Sequence, residues 1–174
     1  MEIKINKEDL KTGDILLVSS HSWLAKKIQF FQKNKWNHAG IVIECWGEWF
    51  ICEADKKGIC LTALDDYLNS DKSLMICRPQ FDYDEKKIST FMLPYCGHVG
   101  YDYSSLLFFQ LLSQVFGKWV GKKGDEAARR FYCSEWCAFV HNQFNQSIFP
   151  FWYSVAPKDI FNDIINFRHL ILKN

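Results

Sequence analysis

Residues 37–55 read NHAGIVIECWGEWFICEAD, two β-rich runs on either side of Trp46-Gly47. Branched and aromatic residues at this density favour strands, and a two-residue centre that carries glycine is the usual link of a tight hairpin. With Trp46 and Gly47 as the central turn residues, Cys45 faces Glu48, Gly40 faces Glu53 and His38 faces Asp55. Side chains alternate across a strand. One face therefore collects Ala39, Ile41, Ile43 and Cys45 with Phe50, Cys52 and Ala54, which is a core face. The other collects His38, Gly40, Val42 and Glu44 with Trp49, Ile51, Glu53 and Asp55. His38 thus shares a face with two carboxylates, Asp55 opposite and Glu53 on the diagonal, both within reach of its imidazole. Gly40 opens space in front of Glu53. A one-residue slip would dismantle the set, and an ordinary hairpin would turn these polar groups to water.

The flanking segments place this hairpin among strands. DILLVS (Asp14–Ser19) follows the turn signal Thr12-Gly13. Ser22–Gln32 has helical spacing, with Trp23, Leu24, Ile28 and Phe31 expected inward and Lys26 and Lys27 outward. Gly58–Leu61 and Leu74–Arg78 are further strands, Pro79 ending the second, and Leu64–Leu68 is a short helix. The second half is helical: Asp84–Met92, a longer helix over Ser104–Trp119, Cys133–Phe144, and a last short helix opened by Pro157. Strand-rich residues 12–80 followed by helix-rich residues 84–165 predict one α+β domain over residues 1–174.

RRFYCSEWCAFVHNQF (129–144) sets Cys133 where an irregular stretch becomes a helix. A helix start offers unpaired N–H groups and partial positive charge, which stabilise thiolate and can receive an oxyanion. Cys137, one turn on, is expected as a packed core thiol, as are the other five cysteines. No CxxC pair is present, so neither a zinc site nor any other metal or cofactor is expected. A cysteine at a helix start and a histidine paired with a carboxylate make a nucleophile, base and orienting acid.

Composition removes several classes. Among 174 residues, 21 basic and 20 acidic side chains give a net charge of +1, so nucleic acid has no electrostatic claim on the chain. Apolar residues at 48% supply a full core. The opening MEIKINKEDLKTGD is polar, without the apolar stretch of a secretory signal, and seven scattered cysteines suit free thiols. The expected location is therefore cytoplasmic. The most apolar run, Leu106–Val120, is interrupted by Gln110, Ser113, Gln114, Gly117 and Lys118, so no transmembrane segment is expected.

TGDILL (12–17), NHAGIVI (37–43), a glutamate fifteen positions after His38, GYDYSSL (100–106), FYCSEW (131–136) and VAPKDIF (155–161) follow one another along the chain. In this order they resemble the circularly permuted branch of the NlpC/P60 superfamily, the YiiX/YebB-like proteins. The resemblance implies a papain-like fold, an antiparallel sheet packed against helices, in which histidine and acid precede the nucleophile. It implies a catalytic Cys133–His38–Glu53 triad, choosing Glu53 where the hairpin alone leaves Asp55 open, and a substrate-lining role for Tyr132. It also implies a cysteine peptidase or amidase that cleaves a peptide or peptidoglycan-like amide, with D-amino acids among the candidates, through a thioester. Two other readings stand beside it. One is a lipid acyl hydrolase or acyltransferase like lecithin:retinol acyltransferase, and the other is a binding module without turnover.

Overall fold

The hairpin forms in the expected register. Strand β3 (His38–Cys45) pairs antiparallel with β4 (Glu48–Asp55), with Cys45 opposite Glu48 and Ile41 opposite Cys52. Trp46 and Gly47 hold the turn with φ of 56° and 79°, the left-handed pair that a two-residue link between right-twisted strands requires. This computed structural model describes residues 3–101, 130–145 and 148–172. The helix expected over 104–119 lies outside the described residues.

Around the hairpin, β1 (Ile3–Ile5), β2 (Ile15–Ser19), β5 (Gly58–Ala63), β6 (Ser73–Pro79) and β9 (Phe167–Leu172) complete a seven-stranded sheet in the order β1-β9-β6-β2-β3-β4-β5. All pairings are antiparallel except β1 with β9. Two short strands, β7 (Gly100–Tyr101) and β8 (Arg130–Phe131), pair apart from it. The described helices are α1 (Trp23–Gln32), α2 (Leu64–Leu68), α3 (Glu85–Met92), α4 (Cys133–Phe144) and α5 (Pro157–Asn162). None of the helices among the described residues is long and apolar enough to cross a membrane.

The sheet is covered on both faces. On one, Ile15, Leu17, Ala39, Ile41, Ile43, Cys52 and Cys77 meet Trp136, Cys137, Phe139 and Val140 of α4. On the other, Leu16, Val18, Val42, Ile51 and Ile76 pack with Leu64 and Tyr67 of α2 and Leu170 and Leu172 of β9. The second hairpin face, which an isolated hairpin would turn to water, is therefore a second core, and Glu53 is buried in it. Each large apolar side chain so enclosed contributes about 1.5–3 kcal/mol.

The TGD turn fastens the edges of this assembly. The Thr12 hydroxyl accepts from the Glu44 N–H at 3.0 Å, and the Thr12 N–H donates to Glu85 at 2.8 Å. The fully buried Asp14 carboxylate receives Arg78 Nε and Nη2 at 2.9 and 2.7 Å, a two-pronged pair that compensates its burial. His141 of α4 places its ring nitrogens 2.8 Å from the carbonyl oxygens of Cys137 and Gly13, tying the helix to the start of β2.

Two expectations are corrected. Residues 3–5 and 167–172 are strands within the main sheet, where no strand was expected. In α1 the buried residues are Ala25, Ile28 and Gln32, whereas Trp23 and Phe31 are exposed. The stripe Trp23–Leu24–Ile28–Phe31 and the stripe Ala25–Ile28–Gln32 are both helical in period. The fold buries the second stripe, with Ile28 and half-buried Leu24 packed on Tyr132.

Candidate active site

His38 opens β3, so its imidazole stands at the end of the sheet, where groups from both faces can meet. Its Nε2 is in direct contact with Glu53 Oε2. The remaining nitrogen, Nδ1, is left for Cys133, whose thiolate charge and the imidazolium favour each other. Glu53 is held from two more sides. The Tyr67 hydroxyl donates to Oε2 at 2.7 Å, and Thr62 on the other side favours the charged carboxylate. Asp55 makes no such contact; its Oδ1 accepts from the Lys57 N–H at 2.7 Å. Glu53, not Asp55, is the carboxylate on the imidazole.

Cys133 is the first residue of α4. Tyr132, just before it, has extended backbone, and its N–H is taken by the Glu135 carboxylate at 3.3 Å. The Ser134 hydroxyl donates to the Val155 carbonyl at 2.7 Å and pins the first turn. The Ala39 and Ser134 N–H groups favour the charged form of the Cys133 sulfur. These contacts fix the thiol between the start of a helix and the start of β3.

Electrostatics follow from this placement. Burial disfavours a charged thiol at Cys133, but His38 and the two N–H groups outweigh it and hold the thiol below its ordinary value. Burial likewise disfavours an imidazolium at His38, but Cys133 and Glu53 on either side raise it to about 10. At Glu53 burial is again outweighed, by His38 together with Thr62 and Tyr67, so its carboxyl lies below the usual range. The arrangement favours a thiolate–imidazolium pair braced by a carboxylate. The remaining thiols differ. Burial pushes up Cys45, Cys60, Cys77 and Cys137. Cys52 is raised by its hydrogen bond to Cys96, whose sulfur lies 3.9 Å away and is correspondingly lowered.

Two cavities open beside His38. One of about 370 Å³ is lined by Glu53, Asp55, Lys56, Thr62, Asp66 and Lys72 among others. The second, of about 190 Å³, lies between Cys133, Tyr67, Asn37 and the inner side of α1 at Leu24, Ala25 and Ile28. Tyr132 lines neither. It is fully buried under Ile28, and its hydroxyl donates to the Tyr153 carbonyl at 2.9 Å, so its position is that of a support beneath the nucleophile helix. Tyr67 was missed from sequence. Only its place on a short helix following β5 brings it over Glu53, and no motif spacing marks it.

Among the described residues no group of three or more His, Cys, Asp or Glu side chains is placed to hold a metal ion. A crystal structure described as metalloprotein YiiX from Escherichia coli O157:H7 shares the fold, with a TM-score of 0.58 at 18% identity, covering 92% of this chain and 88% of that one. No curated protein matches the sequence. The sequence does match, over residues 9–151, the profile of a family described as a permuted papain-like amidase enzyme. With strand-borne histidine and acid preceding a cysteine at a helix start, the chain belongs to the permuted papain-like amidases of the YaeF/YiiX, C92 family.

Proposed function

We propose that this chain cleaves an amide bond of a peptide or peptidoglycan-like substrate through a thioester on Cys133. The observation that supports it best is His38 held between the Cys133 thiol and the buried Glu53 carboxylate. The Cys133 thiolate attacks the carbonyl carbon, and backbone N–H groups at the start of α4 receive the resulting oxyanion. The C–N bond then breaks, and the amine leaves with the proton carried by His38. Water attacks the thioester, His38 takes its proton, and the acid departs as the thiol is restored. Glu53 keeps Nδ1 turned to the sulfur and stabilises the imidazolium between these transfers. The larger cavity carries carboxylates at Asp55 and Asp66 and ammonium groups at Lys56 and Lys72, which suits a polar substrate with charges of both signs.

The test is a thiol-reactive amide analogue followed by peptide mapping. One adduct on Cys133 is expected in the unaltered chain, none there in Cys133→Ala, and strongly slowed labelling in His38→Ala. Labelling that begins on Cys96 or Cys137, or that ignores the loss of His38, would remove the basis of the proposal.

A further inference from the structure

Helix α1 presents an outer face on which Trp23 and Phe30 are exposed. Its buried residues Ala25, Ile28 and Gln32 define one side. Trp23 and Phe30, seven residues apart and hence on one line of the helix, occupy the opposite side, 72% and 78% exposed. Lys26 and Lys27 flank that line, and the Lys27 ammonium lies 3.8 Å from the centre of the Trp23 ring. Lys33 and Lys35 extend the positive charge beyond the helix end, and no acidic residue occurs between Asp14 and Glu44. In a chain whose net charge is +1, this is a local concentration of one sign.

The helix is firmly seated. Ser22 caps it, its hydroxyl accepting from the Ala25 N–H at 3.2 Å. The Gln29 amide donates to the carbonyls of Ser20 and Lys35 at 3.1 and 2.7 Å. Its aromatic side chains are therefore carried on a fixed platform rather than a loose loop. The inner side of the same helix lines the cavity that contains Cys133.

Paired aromatic rings among lysines, on a helix lying along the surface, have the chemistry of a peripheral membrane contact. The rings enter the headgroup boundary, and the lysines meet anionic phosphates. We propose that the outer face of α1 seats this chain on an anionic lipid surface, with the Cys133 cavity directly behind the docking helix. A neutral surface would leave the lysines uncompensated. Another exposed aromatic among the described residues, Trp46 at 88%, sits on the hairpin turn with its ring edge-on to Phe50, and Glu44 and Glu48 lie close to it in the sequence. The proposal does not depend on the amide chemistry, and its readout is binding rather than turnover.

The experiment is co-sedimentation of the full chain with vesicles of phosphatidylcholine alone or mixed with phosphatidylglycerol, at low and high salt. Binding is expected on the mixed vesicles and is expected to weaken with salt. Trp23→Ser/Phe30→Ser should weaken it by at least about tenfold. Lys26→Glu/Lys27→Glu should do so by a similar factor, and Trp46→Ser should leave it unchanged. Circular dichroism verifies that each variant is folded. No binding to the mixed vesicles overturns the proposal. So does equal binding to neutral vesicles, or undiminished binding by the Trp23/Phe30 variant. Sedimentation velocity without lipid covers the competing occupant: a dimer that the Trp23/Phe30 variant converts to monomer would assign the face to a second copy of the chain and overturn the lipid reading.

Discussion

At the level of single residues, the proposed base and nucleophile carry local marks, a histidine that shares a hairpin face with carboxylates and a cysteine at a helix start, whereas Glu53 and Asp55 have the same parity and only the family resemblance chose between them. Tyr67 carried none, since its meeting with Glu53 depends on how β5 and α2 return over the sheet. Its role is measurable. A hydrogen bond to a charged group is worth about 1.5–3 kcal/mol, so Tyr67→Phe should lower turnover by about tenfold to a hundredfold, well short of Cys133→Ser. Glu53→Gln should also retain activity above the Cys133→Ser background. An equal loss in Tyr67→Phe and Cys133→Ser, both folded, would place Tyr67 at the reacting atoms. The pairing also fixes a pH profile. Cys133 is lowered and His38 is raised to about 10, so the ion pair spans the interval between the two. Alkylation of Cys133 should therefore reach its plateau below the ordinary thiol range. In His38→Ala, burial is no longer opposed by the imidazolium, and the onset should move upward. Cys96, lowered by Cys52 and only half-buried, should be the next thiol to react.

At the level of elements, local chemistry decided what could be read. The β3–β4 register followed from a two-residue turn, whereas α1 offered two stripes of equal period, and only its packing on the rest of the fold chose between them. Gly40 shows how closely the hairpin is fitted. A Cβ there would overlap Ile51 Cγ2 and lie 3.1 Å from Glu53 Cβ. Gly40→Ala should cost about 1–3 kcal/mol, visible as a fall of several degrees in Tm. It should also lower turnover by displacing Glu53 from His38. Full activity at an unchanged Tm would mean that β3 and β4 separate at no cost.

At the level of the whole molecule, the α+β class was readable from the change of texture between the two halves. The completion of the sheet was not. FRHLIL (Phe167–Leu172) is short, and its partners β6 and β1 lie far off in sequence, so no turn signal links them. Yet β9 is an interior strand. Deleting residues 167–174 should bare the edge of β6 from Ile76 to Pro79 and leave Ile76 without Leu170. The expected result is an aggregated product, tested by expression level and circular dichroism against the intact chain. A folded, active truncated protein would show that β9 is dispensable.

That strand order also sets a timetable for synthesis. A ribosome releases the histidine–glutamate hairpin early and the thiol much later. The strand that must slide between β1 and β6 emerges only at residues 167–172. Throughout translation the growing polypeptide holds the proposed base without its proposed nucleophile, then that cysteine on an unfinished scaffold. On the proposed chemistry, the order of emergence alone delays activity until the sheet is closed.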